Sequence, residues 1–99
     1  MGFIQIVEFS TDKHEEVKAL QARFLEATEG KRTTARVTVT SDRDNPSRYM
    51  VIAEFPSYEA AMENSNLAET DAMASEMANL VDGPPTFHNL NVLERILEG

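Results

Sequence analysis

The sequence predicts an α+β domain with the element order strand, helix, strand, strand, broken helix, strand. Three observations carry this prediction. Residues 3–9, 33–41 and 49–55 alternate or are rich in β-branched and aromatic side chains, as strands are. Two longer segments have apolar residues at helical spacing. Residues 42–47 (DRDNPS) form a dense turn signal between two strands. This order is the split βαβ pattern of ferredoxin-like domains, with a four-stranded antiparallel sheet and its helices on one face. At 99 residues, the chain is expected to form a single domain over 1–99.

The first strand, Gly2 to Phe9, leads into a helix that we expect from about Lys13 to Glu29. The helix has one apolar stripe at positions i, i+3, i+7 and i+11, formed by Val17, Leu20, Phe24 and Thr28. Asp12 with Glu15 fits a capping box at the start of this helix. Gly30 stands where a left-handed residue commonly ends a helix.

The second half of the chain begins with a hairpin of the strands Thr33–Ser41 and Tyr49–Phe55. The helix that follows is interrupted at residues 64–66 (NSN), because their side chains compete for backbone hydrogen bonds. A helix resumes from about Ala68 to Leu80, where Asp-Gly-Pro-Pro stops it. The last strand is expected within Thr86–Leu97.

The net charge of −8 lies entirely in residues 51–99, where one arginine faces nine acids; residues 1–50 are neutral. An acidic surface repels phosphates and anionic lipids, so we expect no nucleic-acid or membrane partner. No basic and apolar leader is visible, and we expect a cytoplasmic protein. With no cysteine, two distant histidines and isolated glycines, we expect no metal site and no cofactor.

Both faces of the first strand and of the return strand of the hairpin are apolar. In the first strand Ile4 and Ile6 occupy one face, and Phe3, Val7 and Phe9 the other. Helices on one side can cover only one of these faces, and a large exposed apolar patch is unusual on a monomer. A second copy packed against the uncovered face is the simplest cover, so we expect a homodimer. The alternative is a monomer in which the alternation is merely loose.

The segment Glu54–Asn64 (EFPSYEAAMEN), together with the element order and the two-faced sheet, resembles the antibiotic biosynthesis monooxygenase-like domains of the dimeric α+β barrel superfamily. The resemblance implies a cavity between sheet and helices that binds a flat aromatic or polyketide-type molecule. Some relatives oxygenate such molecules without metal or flavin, and others bind haem. Phe55 falls where the family often has a cavity aromatic residue. Asn64 falls where the family often has His, and an asparagine cannot serve as an axial ligand of haem.

The candidate catalytic residues are His88 and Asn64. On strand alternation His88 shares a face with Leu90 and Val92, which we expect to point inward, and an imidazole there could act as a general base. The alternative is a hydrogen-bonded structural histidine at a strand end. Asn64, with the neighbouring Ser65 and Asn66, could hydrogen-bond a substrate oxygen, or these residues could simply end one helix and begin the next.

Tyr49 and Phe55 could stack on a planar ligand, although aromatic residues in strands more often belong to the core. His14, between acidic neighbours in the first helical turn, is expected to be a solvated surface residue. The sequence therefore predicts a small homodimeric protein, either a cofactor-independent monooxygenase-like enzyme acting on a small aromatic ligand or a non-catalytic dimer that binds small molecules or has a structural role.

Overall fold

The computed structural model describes residues 2–97, which form one four-stranded sheet and three helices. The strands are β1 (Phe3–Ser10), β2 (Arg36–Ser41), β3 (Arg48–Phe55) and β4 (Thr86–Asn91). The helices are α1 (His14–Ala27), α2 (Tyr58–Ser65) and α3 (Ala68–Met77). The strand order in the sheet is β2-β3-β1-β4, and every neighbouring pair is antiparallel. The predicted ferredoxin-like topology, its hairpin and its broken second helix are confirmed.

The two faces of the sheet follow from the register of the central pair, in which Phe3 lies opposite Phe55 and Ile6 opposite Ile52. Phe3, Phe55 and Ala61 of α2 form one buried cluster, so the face that carries the odd-numbered residues of β1 packs against the helices. We call this the helix face. The other, which we call the open face, carries the even-numbered residues of β1 and has no helix over it.

The centre of the open face is apolar, as the sequence predicted. Its apolar side chains come from three strands and are Ile4, Ile6, Met50, Ile52 and Leu90. All but Leu90 are half-buried by their neighbours, and Leu90 is exposed. The segment after β4 adds Leu93, Ile96 and Leu97, which are 83%, 82% and 92% exposed.

The start of α1 differs from the prediction. Lys13 is in the N-cap position and its side chain caps nothing. Instead the buried Thr11 hydroxyl accepts the Lys13 N–H at 2.9 Å and donates to the Leu80 carbonyl at 2.5 Å. Thr11 therefore ties the start of α1 to the turn after α3, and the predicted capping box of Asp12 and Glu15 is wrong. Sequence spacing could not identify Thr11, because its second partner is 69 residues away.

The end of α1 and the start of α2 have the helix-terminating and capping residues that the sequence predicted. Gly30 has a φ of 81°, in the left-handed region that a helix end often needs. The Ser57 hydroxyl accepts the Ala60 N–H at 3.0 Å and so caps α2. The helices formed within residues 2–97 are all too short or too polar to cross a lipid bilayer.

Candidate functional site

The junction between α2 and α3 holds the amide side chains that the sequence singled out. The Asn64 Oδ1 atom accepts the backbone N–H of Thr33 at 3.3 Å, which joins the end of α2 to the segment before β2. The Asn64 carbonyl accepts the Thr70 hydroxyl at 2.6 Å. Within residues 2–97 the Asn64 NH₂ group donates no hydrogen bond, so it can donate to a ligand. Ser65 is half-buried, and Asn66 is exposed at the C-cap of α2.

Phe55 is a core residue at the end of β3. Its side chain is 5% exposed and packs with Phe3 and Ala61. Tyr58, in the first turn of α2, meets Phe3 edge to face with ring centroids 5.4 Å apart, and more than half of its surface remains exposed. A ligand in this region would therefore reach Tyr58 without rearrangement, whereas Phe55 is enclosed.

Tyr49 lies at the other end of the helix face, in a stack of three rings. Its ring lies 5.7 Å from that of Phe9 and 4.7 Å from that of His14, and it is parallel to the imidazole within 4°. His14 is half-buried, and its Nδ1 atom is buried with no hydrogen-bond partner among residues 2–97. The expectation of a solvated His14 is wrong, because the helix starts directly over Tyr49.

His88 lies on the open face, opposite Ile6 in the register of β1 and β4. It shares that face with Leu90, as alternation predicted, but the face points away from the helices. The expected inward position is therefore wrong. The physical reason is that both faces of the central strands are apolar, so hydrophobicity alone does not show which one the helices cover. The His88 Nε2 atom is 3.3 Å from Oε1 of Glu8.

Glu8 connects His88 to a larger ionic network at this end of the open face. Its Oε2 atom accepts from Nη2 and Nε of Arg48, at 2.7 and 3.0 Å. Arg48 also donates from Nη1 to Asp42 at 2.8 Å. The hydrogen bonds from Arg48, and then that of His88, lower the pKa of Glu8 below its ordinary value of 4.5. The pKa of Asp42 is lowered first by the Asp44 N–H and then by Arg48.

These lowered pKa values predict an acid-sensitive fold. A carboxylate whose pKa is lower in the folded state stabilises the fold at a pH above its ordinary value, and this stability is lost as the pH falls through the folded pKa. We expect the urea midpoint to fall as the pH is lowered below 4.5. Glu8→Gln should make that fall shallower, whereas Glu63→Gln, on the exposed side of α2, should not. An unchanged slope in Glu8→Gln would remove the network as a source of acid sensitivity.

Two hollows lie in the helical layer rather than against the sheet. They have volumes of about 370 and 150 Å³, and α1, α3 and the turn after α3 supply all of their lining residues. Arg23 and Glu76 line both hollows and face each other at 3.8 Å as an exposed ion pair. Directly above the sheet, open space lies instead over the edge strands, where Val37, Val39 and Phe87 on the helix face are about half exposed.

The predicted site residues thus fall into three places. Asn64, Ser65 and Asn66 lie at the α2–α3 junction, and Phe55 packs against Ala61 of α2. Tyr49 instead lies near α1, and His88 lies on the open face. Sequence reasoning missed His14 as a helix-side imidazole. It also missed Gln5, a polar residue at the centre of β1 whose amide meets that of Asn89. The sequence could have pointed to Gln5, because it is a polar residue on a strand face that is otherwise apolar.

Comparison with solved structures gives matches over nearly the whole chain. SnoaB, a cofactor-independent oxygenase from Streptomyces nogalater, matches with a TM-score of 0.81 and 15% identity over 98% of both chains. Rv0793 from Mycobacterium tuberculosis matches with a TM-score of 0.80 and 14% identity, over 98% of this chain and 100% of its own. An antibiotic biosynthesis monooxygenase matches with a TM-score of 0.74 and 13% identity, over 93% and 99% of the two chains.

No protein-family model matches the sequence, and a search of curated proteins found no match. What the comparisons show is therefore the fold of the chain. The chain has the ferredoxin-like α+β fold of the antibiotic biosynthesis monooxygenase-like proteins, as its sequence resemblance indicated.

Proposed function

We propose that this protein is a homodimeric, cofactor-independent monooxygenase-like enzyme that acts on an aromatic or polyketide-type small molecule bound between sheet and helices. The observation that carries the proposal is the match to SnoaB over 98% of both chains, since that protein is a cofactor-independent oxygenase. The exposed side chains on the helix face and the available Asn64 amide support it. Because one fold can carry many activities, the proposal is tested by measuring the reaction with oxygen directly.

The dimer is supported by the open face. Five apolar side chains occupy its centre, and an ionic group borders it at each end. At one end are Glu8, Arg48 and His88; at the other, Glu54 lies 3.6 Å from Arg36 and 3.7 Å from Arg95. An apolar centre with a polar rim is the usual composition of a protein interface. A second copy, related by a two-fold axis, would present the same centre and rim.

The proposed roles of the site residues follow from their positions. The Asn64 NH₂ group donates to the substrate oxygen on which negative charge develops, and this stabilises that charge during reaction with dioxygen. Ser65 and Asn66 border the same space. Tyr49 is stacked with His14 of α1 and with Phe9, so a planar ligand would contact it only at its ring edge. Phe55 shapes the floor from within the core and is the least accessible of the set.

The decisive experiment measures oxygen uptake with a panel of planar phenolic and polyketide-type aromatic compounds. We expect uptake by the protein as purified, without visible absorption bands. Asn64→Ala should lower the rate by about 10²–10³-fold, the effect of losing one donor to a developing negative charge. The matched control is Asn79→Ala, an exposed asparagine in the turn after α3, which should keep the rate. Equal rates in Asn64→Ala and wild type would remove Asn64 from the site.

A second candidate function is a non-catalytic dimer that binds small molecules, and the position of His88 favours it. The His88 imidazole, which was expected to act as a base, lies on the open face, away from the helices. Its Nε2 atom is within hydrogen-bonding distance of Glu8. His88→Gln should therefore leave any oxygen uptake unchanged. If a panel compound binds but no oxygen is taken up, the non-catalytic dimer is the correct proposal and the enzyme is not.

A further inference from the structure

Helix α3 is the least buried of the three helices. None of its ten residues, all of which the structure describes, is buried, and the helix packs mainly against α1. The other two helices each bury at least one residue, such as Val17 in α1 and Ala61 in α2. The seam between α1 and α3 is therefore the part of the helical layer where packing is least complete.

The two hollows of the helical layer lie end to end along this seam. The larger hollow joins Glu16, near the start of α1, to Asn79, just after the end of α3. The smaller hollow joins Ala27, the last residue of α1, to Glu69, near the start of α3. The two helices are therefore antiparallel, and the hollows form one groove, which we call the α1–α3 groove. From Glu16 to Ala27, at 1.5 Å per residue, it is about 16 Å long, or about three helical turns.

The floor of the α1–α3 groove is apolar and contains small side chains. Ala19, Ala27 and Ala72 line it, and all three are exposed. Met73 and Leu80 supply larger apolar surfaces and are half-buried. The distance between packed helices follows the size of the side chains at the contact, so small residues let another helix approach closely. A straight apolar groove of this length therefore matches the apolar face of a third helix.

The charge around the groove indicates the kind of helix that fits it. Together α1 and α3 carry six carboxylates and only two basic side chains. Three of these carboxylates line the groove, namely Glu16, Glu69 and Glu76. Within residues 2–97, Glu16 forms no ion pair, and Glu76 has only its exposed contact with Arg23 at 3.8 Å. Exposed ion pairs contribute little stability, so a lysine of a partner can bind Glu16 and compete for Glu76.

We propose that the α1–α3 groove is a docking site for a basic amphipathic helix of another protein. A second copy of this chain fits poorly, because its own acidic helices would be brought against the same carboxylates. The groove includes neither Asn64 nor any residue of the open face. The inference therefore rests neither on the oxygenase nor on the dimer, and a dimer formed through the open face leaves the groove of each copy uncovered.

The test is a fluorescence-anisotropy titration of the full chain with three labelled synthetic peptides, each of about four helical turns. The lysine peptide has leucines on one helical face and lysines and alanines elsewhere. The second peptide has the same composition in scrambled order, so that no apolar face forms, and the third has glutamate in place of lysine. We expect the lysine peptide to bind at least about tenfold more tightly than its scrambled form, and the glutamate peptide not to bind. Added salt should weaken the binding of the lysine peptide.

Two matched variants place the peptide on the protein. Ala72→Arg introduces a long basic side chain into the groove and should weaken binding of the lysine peptide by at least about tenfold. Ala74→Arg changes the net charge equally at an exposed alanine of the same helix that lines neither hollow. It should change the affinity by no more than about twofold, because exposed charges outside the contact are screened. Thermal unfolding of each variant shows that it is folded before it is titrated.

Three results of the titrations would each overturn the proposal. They are no binding of the lysine peptide at millimolar concentration, equal affinity for the lysine peptide and its scrambled form, and equal loss of affinity in Ala72→Arg and Ala74→Arg. Light scattering provides a fourth: self-association of the wild type that Ala72→Arg abolishes would make a second copy the occupant of the groove.

Discussion

Ile6→Asp is expected to convert the protein from a dimer into a folded monomer. Ile6 is at the centre of the open face, with Ile52 on one side and His88 on the other. In a single chain a carboxylate at this position is hydrated, because no helix covers the face. In the proposed dimer it would be buried against the same residue of the second copy or close to it, and burying an unpaired charge costs several kcal/mol. Light scattering should give twice 11.1 kDa for the wild type and 11.1 kDa for the variant.

The matched control for that prediction is Leu25→Asp. Leu25 is an exposed aliphatic residue on α1, in the layer on the other side of the sheet. It should keep the mass of two subunits. Circular dichroism must show that both variants retain the fold. A monomeric wild type would contradict the dimer itself. A dimer that survives Ile6→Asp and is lost in Leu25→Asp would place the interface on the helices.

The fold could be predicted because its signals are local. Alternation in Phe3–Phe9 and Tyr49–Phe55, the turn residues between β2 and β3, and the polar break before α3 each act within a few residues. When strands are joined by short loops or by single helices, only a few strand orders in the sheet are possible. The register of β1 with β3 confirms the predicted separation of the two faces in both strands.

The candidate site could not be assembled in the same way, because it depends on which face the helices cover. His88 and Leu90 were correctly placed on one face, but that face is the open one. His14 was judged by its acidic neighbours in sequence, whereas its environment comes from Tyr49, 35 residues later. The partner of Gln5 is 84 residues away. Contacts of this range are set by the packed structure, so the local sequence pattern does not identify the partner residue.

Phe3→Ala is expected to have the largest effect on stability. The side chain is 3% exposed, packs with Phe55 and Ala61, and meets the ring of Tyr58 edge to face. Removing a buried phenylalanine ring costs about 3–5 kcal/mol, from lost burial and from the cavity left behind. Domains of this size are stable by about 5–15 kcal/mol in total. The melting temperature should therefore fall by at least about 12 °C, measured at one fixed protein concentration because dimerisation adds to stability.

Phe87→Ala provides the matched control for the loss of Phe3, since it removes the same ring from the helix face of a neighbouring strand. Phe87 is more than half exposed, so its loss should change the free energy of unfolding by no more than about 0.5 kcal/mol. A loss below about 1 kcal/mol in Phe3→Ala would contradict the packing described for the core. It would mean that the Phe3 ring lines an empty cavity instead of being fully packed. The space under α2 would then be part of a ligand cavity that includes Phe55.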